Sequence, residues 1–184
     1  MKEKRYALFG VAGPLLAYLF IVVSIGLSPW FRWEQNALSD LGHATRSSVA
    51  PVYNFGLLLG GLLLAIYAVT AFRSHARWTS YSLVFSAFSL QLVAVFDEVY
   101  GFLHFAVSVL FFVSLAPTSI LYFVERKSHL ALISFAIGLA SWVLYWMKVY
   151  SAGVAVPETI SSVAATAWII HSALKIYMDK QNSP

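Results

Sequence analysis

Long uninterrupted runs of apolar residues dominate the pattern of hydrophobic and polar positions along this chain. Each run is about 20 residues long and apolar on every side, the length that a helix needs to cross the hydrocarbon core of a bilayer. The runs do not alternate apolar with polar residues, which excludes barrel strands. The pattern therefore predicts an all-α, polytopic integral membrane protein, a six-transmembrane-helix bundle with helices at about 6–27, 51–72, 79–96, 102–124, 130–150 and 158–178.

The polar segment 28–50, between the first two runs, is longer than a simple connection requires. On a helix its residues would form two faces, an apolar one with Trp30, Trp33, Ala37 and Leu41 and a polar one with Asn36, Ser39, Asp40 and His43. This arrangement predicts a short helix lying in the outer membrane interface. The open alternative is that Ser39 or Asp40 only caps a turn that Gly42 ends.

Composition agrees with a membrane protein, because 60% of the residues are hydrophobic and only 11% are charged. No linker or low-complexity stretch divides residues 1–184, so a single transmembrane domain is predicted. The net charge of +4 comes from short basic groups between the apolar runs, and no nucleic-acid partner is expected. Cysteine is absent, which excludes disulfides and thiolate metal ligands.

The basic residues predict the orientation, because Lys and Arg are retained on the cytoplasmic side of short loops. With the N-terminus inside, nine basic residues fall on the cytoplasmic side and three on the outer side. The inner nine are Lys2, Lys4, Arg5, Arg73, Arg77, Arg126, Lys127, Lys175 and Lys180, and the outer three are Arg32, Arg46 and Lys148. We therefore expect a multi-pass protein of the cell membrane with both termini in the cytoplasm.

The polar side chains that chemistry would require collect on the outer side. The candidate pocket residues are Asn36, Ser39, Asp40, His43, Asn54, Asp97, Glu98, His104 and Ser108. His104 and Ser108 are four residues apart and share a helix face. Asp97 would join that face only if the helix extended back through Gly101.

A histidine beside a carboxylate supports three kinds of chemistry, and the sequence leaves all three open. His43, His104 and Asp97 form a candidate metal set, because imidazole and carboxylate groups suit zinc. Ser39, Asp40 and His104 form a candidate catalytic set in which the histidine acts as general base, with Ser108 as a second candidate nucleophile. The same groups could instead only join two helices by a hydrogen bond. No dense zinc motif such as HExxH is present.

Gly56 and Gly60, in the second run, form a small-xxx-small pattern that permits close approach of another helix. That helix could belong to the same bundle, to a second copy of the chain or to a membrane partner.

Three segments together resemble the DUF998 family of prokaryotic membrane proteins: NALSDLG at 36–42, VYNFGL at 52–57 and VAVFDE at 93–98, with Gly60 and His104. The resemblance implies the membrane fold over most of the chain, for a family without an established function. It places four candidates at motif positions, namely Ser39, Asp40, Asn54 and His104. The outer Ser, Asp and His set is also loosely similar to membrane hydrolases that include alkaline ceramidases, whose seventh helix and paired histidines this chain lacks.

These features together predict a polar pocket on the outer side, formed by the segment 28–50 and the turn between the third and fourth runs. The expected function is to bind or process a lipid or another small amphiphile, with membrane lipids as partners. Two alternatives are a metal-dependent membrane hydrolase with bound zinc and a non-catalytic accessory or assembly subunit that uses Gly56 and Gly60.

Overall fold

The computed structural model describes residues 2–179, and this part of the chain contains helices and turns without any strand. Its α-helices are α1 (Lys2–Ala7), α2 (Phe9–Gly26), α3 (Ala50–Tyr67), α4 (Arg77–Val95), α5 (Phe102–Arg126), α6 (His129–Trp146) and α7 (Ala155–Asp179). A π-helical turn, Ala68–Phe72, extends α3, and 3₁₀ turns occupy Leu38–Gly42 and Glu98–Tyr100. The predicted all-α class is confirmed.

Helical segments that are long and apolar enough to cross a membrane identify a multi-pass membrane protein. Within residues 2–179 there are five, Arg5–Gly26, Ala50–Phe72, Arg77–Val95, Phe102–Arg126 and His129–Trp146. They coincide with the first five predicted runs to within a few residues. The predicted 130–150 is the poorest match, because the helix ends at Trp146 and Lys148 adopts a left-handed φ of 52°.

The last helix, α7, lies at the position of the sixth predicted run. It has 25 residues, but it is not among the candidate spans. The sixth crossing therefore stays a prediction.

The helices pack mainly in chain order. The pairs α2–α3, α3–α4, α4–α5 and α6–α7 are in extensive contact, and α7 returns to α2. Contact between α5 and α7 is sparse by comparison. A space is therefore left where α5, α6 and α7 face one another.

The contact between α2 and α3 explains Gly56 and Gly60. A Cβ added at Gly60 would lie 2.9 Å from the Cβ of Ala17, and one added at Gly56 would overlap the Cβ of Phe20. Both neighbours belong to α2 of the same chain. The small-xxx-small pattern thus serves close helix packing inside the protomer.

The outer segment 28–50 does not form the amphipathic interfacial helix that its pattern predicted. It is a series of turns whose helical part is limited to the 3₁₀ turn Leu38–Gly42. Trp30 and Trp33 are about two-fifths exposed, at 42% and 40%, whereas Leu41 is 0% exposed. Residues that a helix would align on one face therefore meet different surroundings, and the helix prediction is wrong.

The alternative, a capped turn, describes this segment correctly. The carboxylate of Asp40 accepts a hydrogen bond of 3.0 Å from the backbone N–H of Ala37, at the start of the 3₁₀ turn. Gly42 is the last residue of that turn. A Cβ at Gly42 would lie 2.5 Å from Asn54 Oδ1, so only glycine lets the turn rest on α3.

Charged side chains separate toward the two ends of the bundle. At one end, Glu125 near the C-terminus of α5 accepts hydrogen bonds from the backbone N–H groups of Trp78 and Thr79, at 3.0 and 2.8 Å. This contact places the basic turn between α3 and α4 beside the basic end of α5. The carboxyl groups of Asp40, Glu98 and Glu158 are neighbours at the other end.

Candidate functional site

A polar network lies at the acidic end of the bundle, where the Leu38–Gly42 turn meets the start of α5. Ser39 Oγ donates a hydrogen bond of 2.7 Å to Glu98 Oε1. The same carboxylate oxygen lies 4.0 Å from His104 Nε2, and Ser108 Oγ lies 3.3 Å from that nitrogen. These four side chains form one connected set, called the Ser39–Ser108 network below.

The hydrogen bonds of His104 define its tautomer. Its Nδ1 lies 2.7 Å from the backbone oxygen of Phe96. A carbonyl oxygen can only accept, so Nδ1 carries a proton, and in the neutral ring Nε2 is the acceptor that faces Ser108. His104 can therefore take a proton from the hydroxyl group of Ser108 or from a group bound beside it.

The turn before α5 determines which acidic residue joins the network. Asp97 Oδ1 accepts a hydrogen bond of 2.8 Å from the backbone N–H of Val99 and so caps the 3₁₀ turn Glu98–Tyr100. Gly101 follows with a φ of 53°, which separates this turn from α5. Asp97 consequently does not lie on the face of His104, and Glu98 is the carboxylate that reaches Ser39.

Asp40 holds the first outer segment in shape. Its Oδ2 accepts hydrogen bonds from Asn36 Nδ2 at 2.7 Å and from the backbone N–H of Ala37 at 3.0 Å. The backbone oxygen of Asn36 in turn accepts a hydrogen bond of 2.9 Å from the N–H of Ala155, at the start of α7. Asp40 and Asn36 thus position Ser39 and fasten the segment to α7.

Glu158, in the first turn of α7, is a site residue that the sequence analysis did not select. Its side chain is buried, with 7% exposure, and its Oε2 accepts a hydrogen bond of 2.7 Å from the backbone N–H of Leu38. The only signal in the sequence is an acidic residue at the start of an otherwise apolar run. Such a residue is ordinarily an exposed group that complements the helix dipole.

The electrostatic surroundings disfavour charge on Glu98. Burial raises the pKa of this carboxyl, and the neighbouring carboxyl of Asp40 acts in the same direction. The hydrogen bond from Ser39 and the proximity of His104 oppose the rise. The shift has the sign expected for carboxyl groups gathered in a partly buried place.

A cavity of about 850 Å³ adjoins the network. Its polar end is formed by Ser39, Glu98, His104, Ser108, Glu158 and Ser161. The rest of the wall is mainly apolar and aromatic and comes from α5, α6 and α7, the helices between which packing leaves a space. A smaller cavity of about 100 Å³ lies on the other side of Ser39, Ser108 and Glu158, toward Tyr18 and Tyr53.

The cavity divides the predicted pocket residues into two groups. Ser39, Glu98, His104 and Ser108 line it. Asn36, Asp40, His43, Asn54 and Asp97 do not belong to its wall.

Two members of the second group have local structural roles. His43 Nδ1 pairs with Thr45 Oγ1 at 3.4 Å, and Asn54 Nδ2 donates a hydrogen bond of 2.9 Å to the backbone oxygen of Gly42. The predicted pocket is therefore smaller on the side of the first segment and extends to α7 instead.

The structure does not assemble the predicted metal ligands. Within residues 2–179, no three His, Asp or Glu side chains are placed so that they could hold a metal ion. His43 faces Thr45, Asp97 caps its turn, and His104 directs Nδ1 to a backbone oxygen. The set of His43, His104 and Asp97 was a combination that only the fold could have brought together, and the fold does not do so.

Comparison with known proteins places this architecture in a family. Residues 11–175 match the model of DUF998, described as a protein of unknown function. No curated protein and no solved structure matches the chain. Since the matched residues include every helix from α3 to α6 and the whole polar network, the chain belongs to the DUF998 family.

Proposed function

We propose that this protein binds a lipid or another single-chain amphiphile, with the polar head at the Ser39–Ser108 network and the apolar chain in the adjoining cavity. The observation that carries the proposal is a cavity of about 850 Å³ whose charged and most of whose polar side chains gather at one end, along a mainly apolar wall in which Ser119 and Ser134 are the further serine hydroxyl groups. Ligand pockets of roughly 300–1,000 Å³ are typical for small molecules. An amphiphile has the same division into a polar head and an apolar chain.

The length of the cavity fits an acyl chain. Its wall follows α5 from His104 to Ser119, which corresponds to about 22 Å along a helix axis. The hydrocarbon core of a bilayer is roughly 30 Å thick, so one leaflet accounts for about half of that. The apolar part can accommodate a chain of the length that a leaflet contains.

The walls suggest how such a ligand would enter. Several apolar residues that line the cavity on α5 and α6 are more than half exposed, among them Phe105, Val113 and Leu139. In a membrane these positions face lipid. A lateral opening between α5 and α6 would admit an amphiphile from the bilayer without passage of its chain through water, which would be costly.

The proposal includes the orientation of the protein in the membrane. With α7 as a sixth crossing, the chain would have both termini in the cytoplasm and the network at the outer surface of the cell membrane. The 25 residues of α7 span about 37 Å, which is sufficient for a crossing. The basic turn between α3 and α4 would then lie inside, in agreement with the distribution of Lys and Arg.

Filling the cavity tests the proposal. Ala116→Phe places a ring in the apolar wall, and Ala136→Phe makes the same change at an exposed position of α6 outside the cavity. The measurement is binding of a fluorescent monoacylglycerol to the protein in nanodiscs of fixed lipid composition. Since overpacking costs typically about 1–3 kcal/mol, we expect Ala116→Phe to weaken binding by about tenfold or more and Ala136→Phe to leave it unchanged.

Two results would contradict the proposed function. One is a wild-type protein that does not bind the monoacylglycerol. The other is equal binding by wild type and both variants, because a probe that is indifferent to Ala116→Phe does not occupy the cavity.

A further inference from the structure

The ionisable groups on the cavity wall all belong to acidic, histidine or tyrosine side chains. Glu98 and Glu158 stand at the polar end with His104, and Tyr145 lies on α6. Among the described residues that line the cavity there is no Lys or Arg. A phosphate or carboxylate head group would find no cation to pair with at this end, and burying an unpaired anion is unfavourable.

Glu158 has an acceptor that no protein group uses. Its Oε2 receives the hydrogen bond from Leu38, whereas no described residue donates to Oε1. The side chain is 7% exposed and contributes to the walls of this cavity and of the smaller one beside it. A buried carboxylate oxygen without a donor is costly, and a ligand that supplies a charged donor would remove that cost.

Aromatic side chains complete the surroundings of the head group. Trp142, Tyr145 and Trp146 of α6 line the cavity. Trp142 is held in place, because its Nε1 donates a hydrogen bond of 3.2 Å to Ser161 and its ring packs edge-on against Phe112 at 5.1 Å. Electron-rich ring faces attract cations.

We propose that the amphiphile bound in this cavity carries a protonated amine as its head group, held by Glu158 and Glu98 beside the aromatic side chains of α6. An alkylammonium group has three N–H donors and no acceptor. The polar end offers matching acceptors in Glu158 Oε1, the Glu98 carboxylate and His104 Nε2. This inference rests on the proposed function and specifies the class of ligand.

The test is competition against the fluorescent monoacylglycerol in the same nanodiscs. Three unlabelled competitors with the same alkyl chain carry an ammonium, a hydroxyl or a phosphate head. Hydrogen bonds to charged groups are stronger than those between neutral groups. We therefore expect the ammonium compound to compete about tenfold better than the alcohol and the phosphate compound to compete worst.

Variants identify the groups responsible. Glu158→Gln and Glu98→Gln should each reduce the preference for ammonium over hydroxyl, measured as the ratio of the two competitors' affinities within the same variant. Glu34→Gln removes a carboxylate from an exposed position of the first outer segment and should not change the preference. This control separates recognition in the cavity from attraction of cations to an acidic surface, and two cavity variants keep the test valid if one of them does not fold.

The outcomes separate the two proposals. Equal competition by all three compounds, or the strongest competition by the phosphate, would overturn the ammonium assignment and leave amphiphile binding in place. A preference lost equally in Glu34→Gln and in the cavity variants would also overturn it. Failure of the monoacylglycerol itself to bind the wild type would reject the proposed function and the ammonium assignment with it.

Discussion

The hydrogen bond from the backbone N–H of Leu38 to Glu158 Oε2, 2.7 Å long, should be a main support of the acidic end of the bundle. It joins the Leu38–Gly42 turn to α7 across 120 residues of sequence. Leu38 is 5% exposed, so water does not replace the acceptor easily. Glu158→Gln keeps an oxygen acceptor at the same distance along the side chain, whereas Glu158→Met has similar length and no acceptor. Both variants are neutral, so the difference between their free energies of unfolding does not include the cost of burying a carboxylate.

The expected difference in the free energy of unfolding follows from the backbone N–H of Leu38, which Glu158→Met leaves without a partner. Hydrogen bonds between transmembrane helices average only about 0.6 kcal/mol in pairwise measurements. Removal of one partner costs more, because an orphaned buried N–H loses its full solvation, which amounts to about 1–3 kcal/mol. We therefore expect Glu158→Met to be less stable than Glu158→Gln by about 1–3 kcal/mol.

Reversible unfolding in mixed micelles, followed by tryptophan fluorescence, measures this difference in the free energy of unfolding. Thr159→Ala is a matched control, since Thr159 is next to Glu158 on the same helix and its hydroxyl donates to the backbone oxygen of Ala155 in its own turn. Equal stability of Glu158→Gln and Glu158→Met, to within about 0.5 kcal/mol, would refute the reasoning. The Leu38 N–H would then be satisfied by another group, and Glu158 would not contribute to the attachment of the Leu38–Gly42 turn to α7.

Two further predictions concern orientation and acid stability. The chain has no cysteine, so single-cysteine variants report topology directly: a membrane-impermeant maleimide should label Ser151→Cys, but not Ser74→Cys, in intact cells, and the reverse pattern would place the termini outside. Burial lowers the pKa of His75, in the turn before α4, to about 4, so its contribution to stability is complete above the ordinary value of about 6.5 and is lost as the pH falls toward 4. His75→Gln, which keeps a donor for Tyr122, should show a smaller loss of melting temperature between these pH values; an unchanged loss would show that His75 is not the group responsible.

The helices could be predicted from the sequence because the physical constraint acts on each segment separately. A segment surrounded by lipid must be apolar on every side and long enough to cross, and Phe102–Arg126 meets both conditions without reference to its neighbours. The same local reasoning placed His104 and Ser108 on one helix face, and their 3.3 Å contact confirms it.

The first outer segment could not be predicted in the same way, because two environments act on it. Trp30 and Trp33 face outward, while Leu41 packs into the core under the turn. A period of 3.6 residues aligns these three apolar side chains, but that period presumes one apolar surface. The better guide was local chemistry, namely the short acidic side chain of Asp40, which accepts a hydrogen bond from the backbone N–H three residues earlier.

Glu158 is a site residue that no local sequence pattern identifies. In the sequence it is an acidic residue in the first turn of a helix, where an exposed carboxylate is commonly found. In the fold it is buried, and the backbone of Leu38, 120 residues earlier, supplies a hydrogen bond to one of its two oxygens. Apolar residues of the same volume would pack there at lower cost. A carboxyl group kept at that cost in a cavity wall is what the proposed ammonium ligand accounts for, in addition to the hydrogen bond that Glu158 gives the fold.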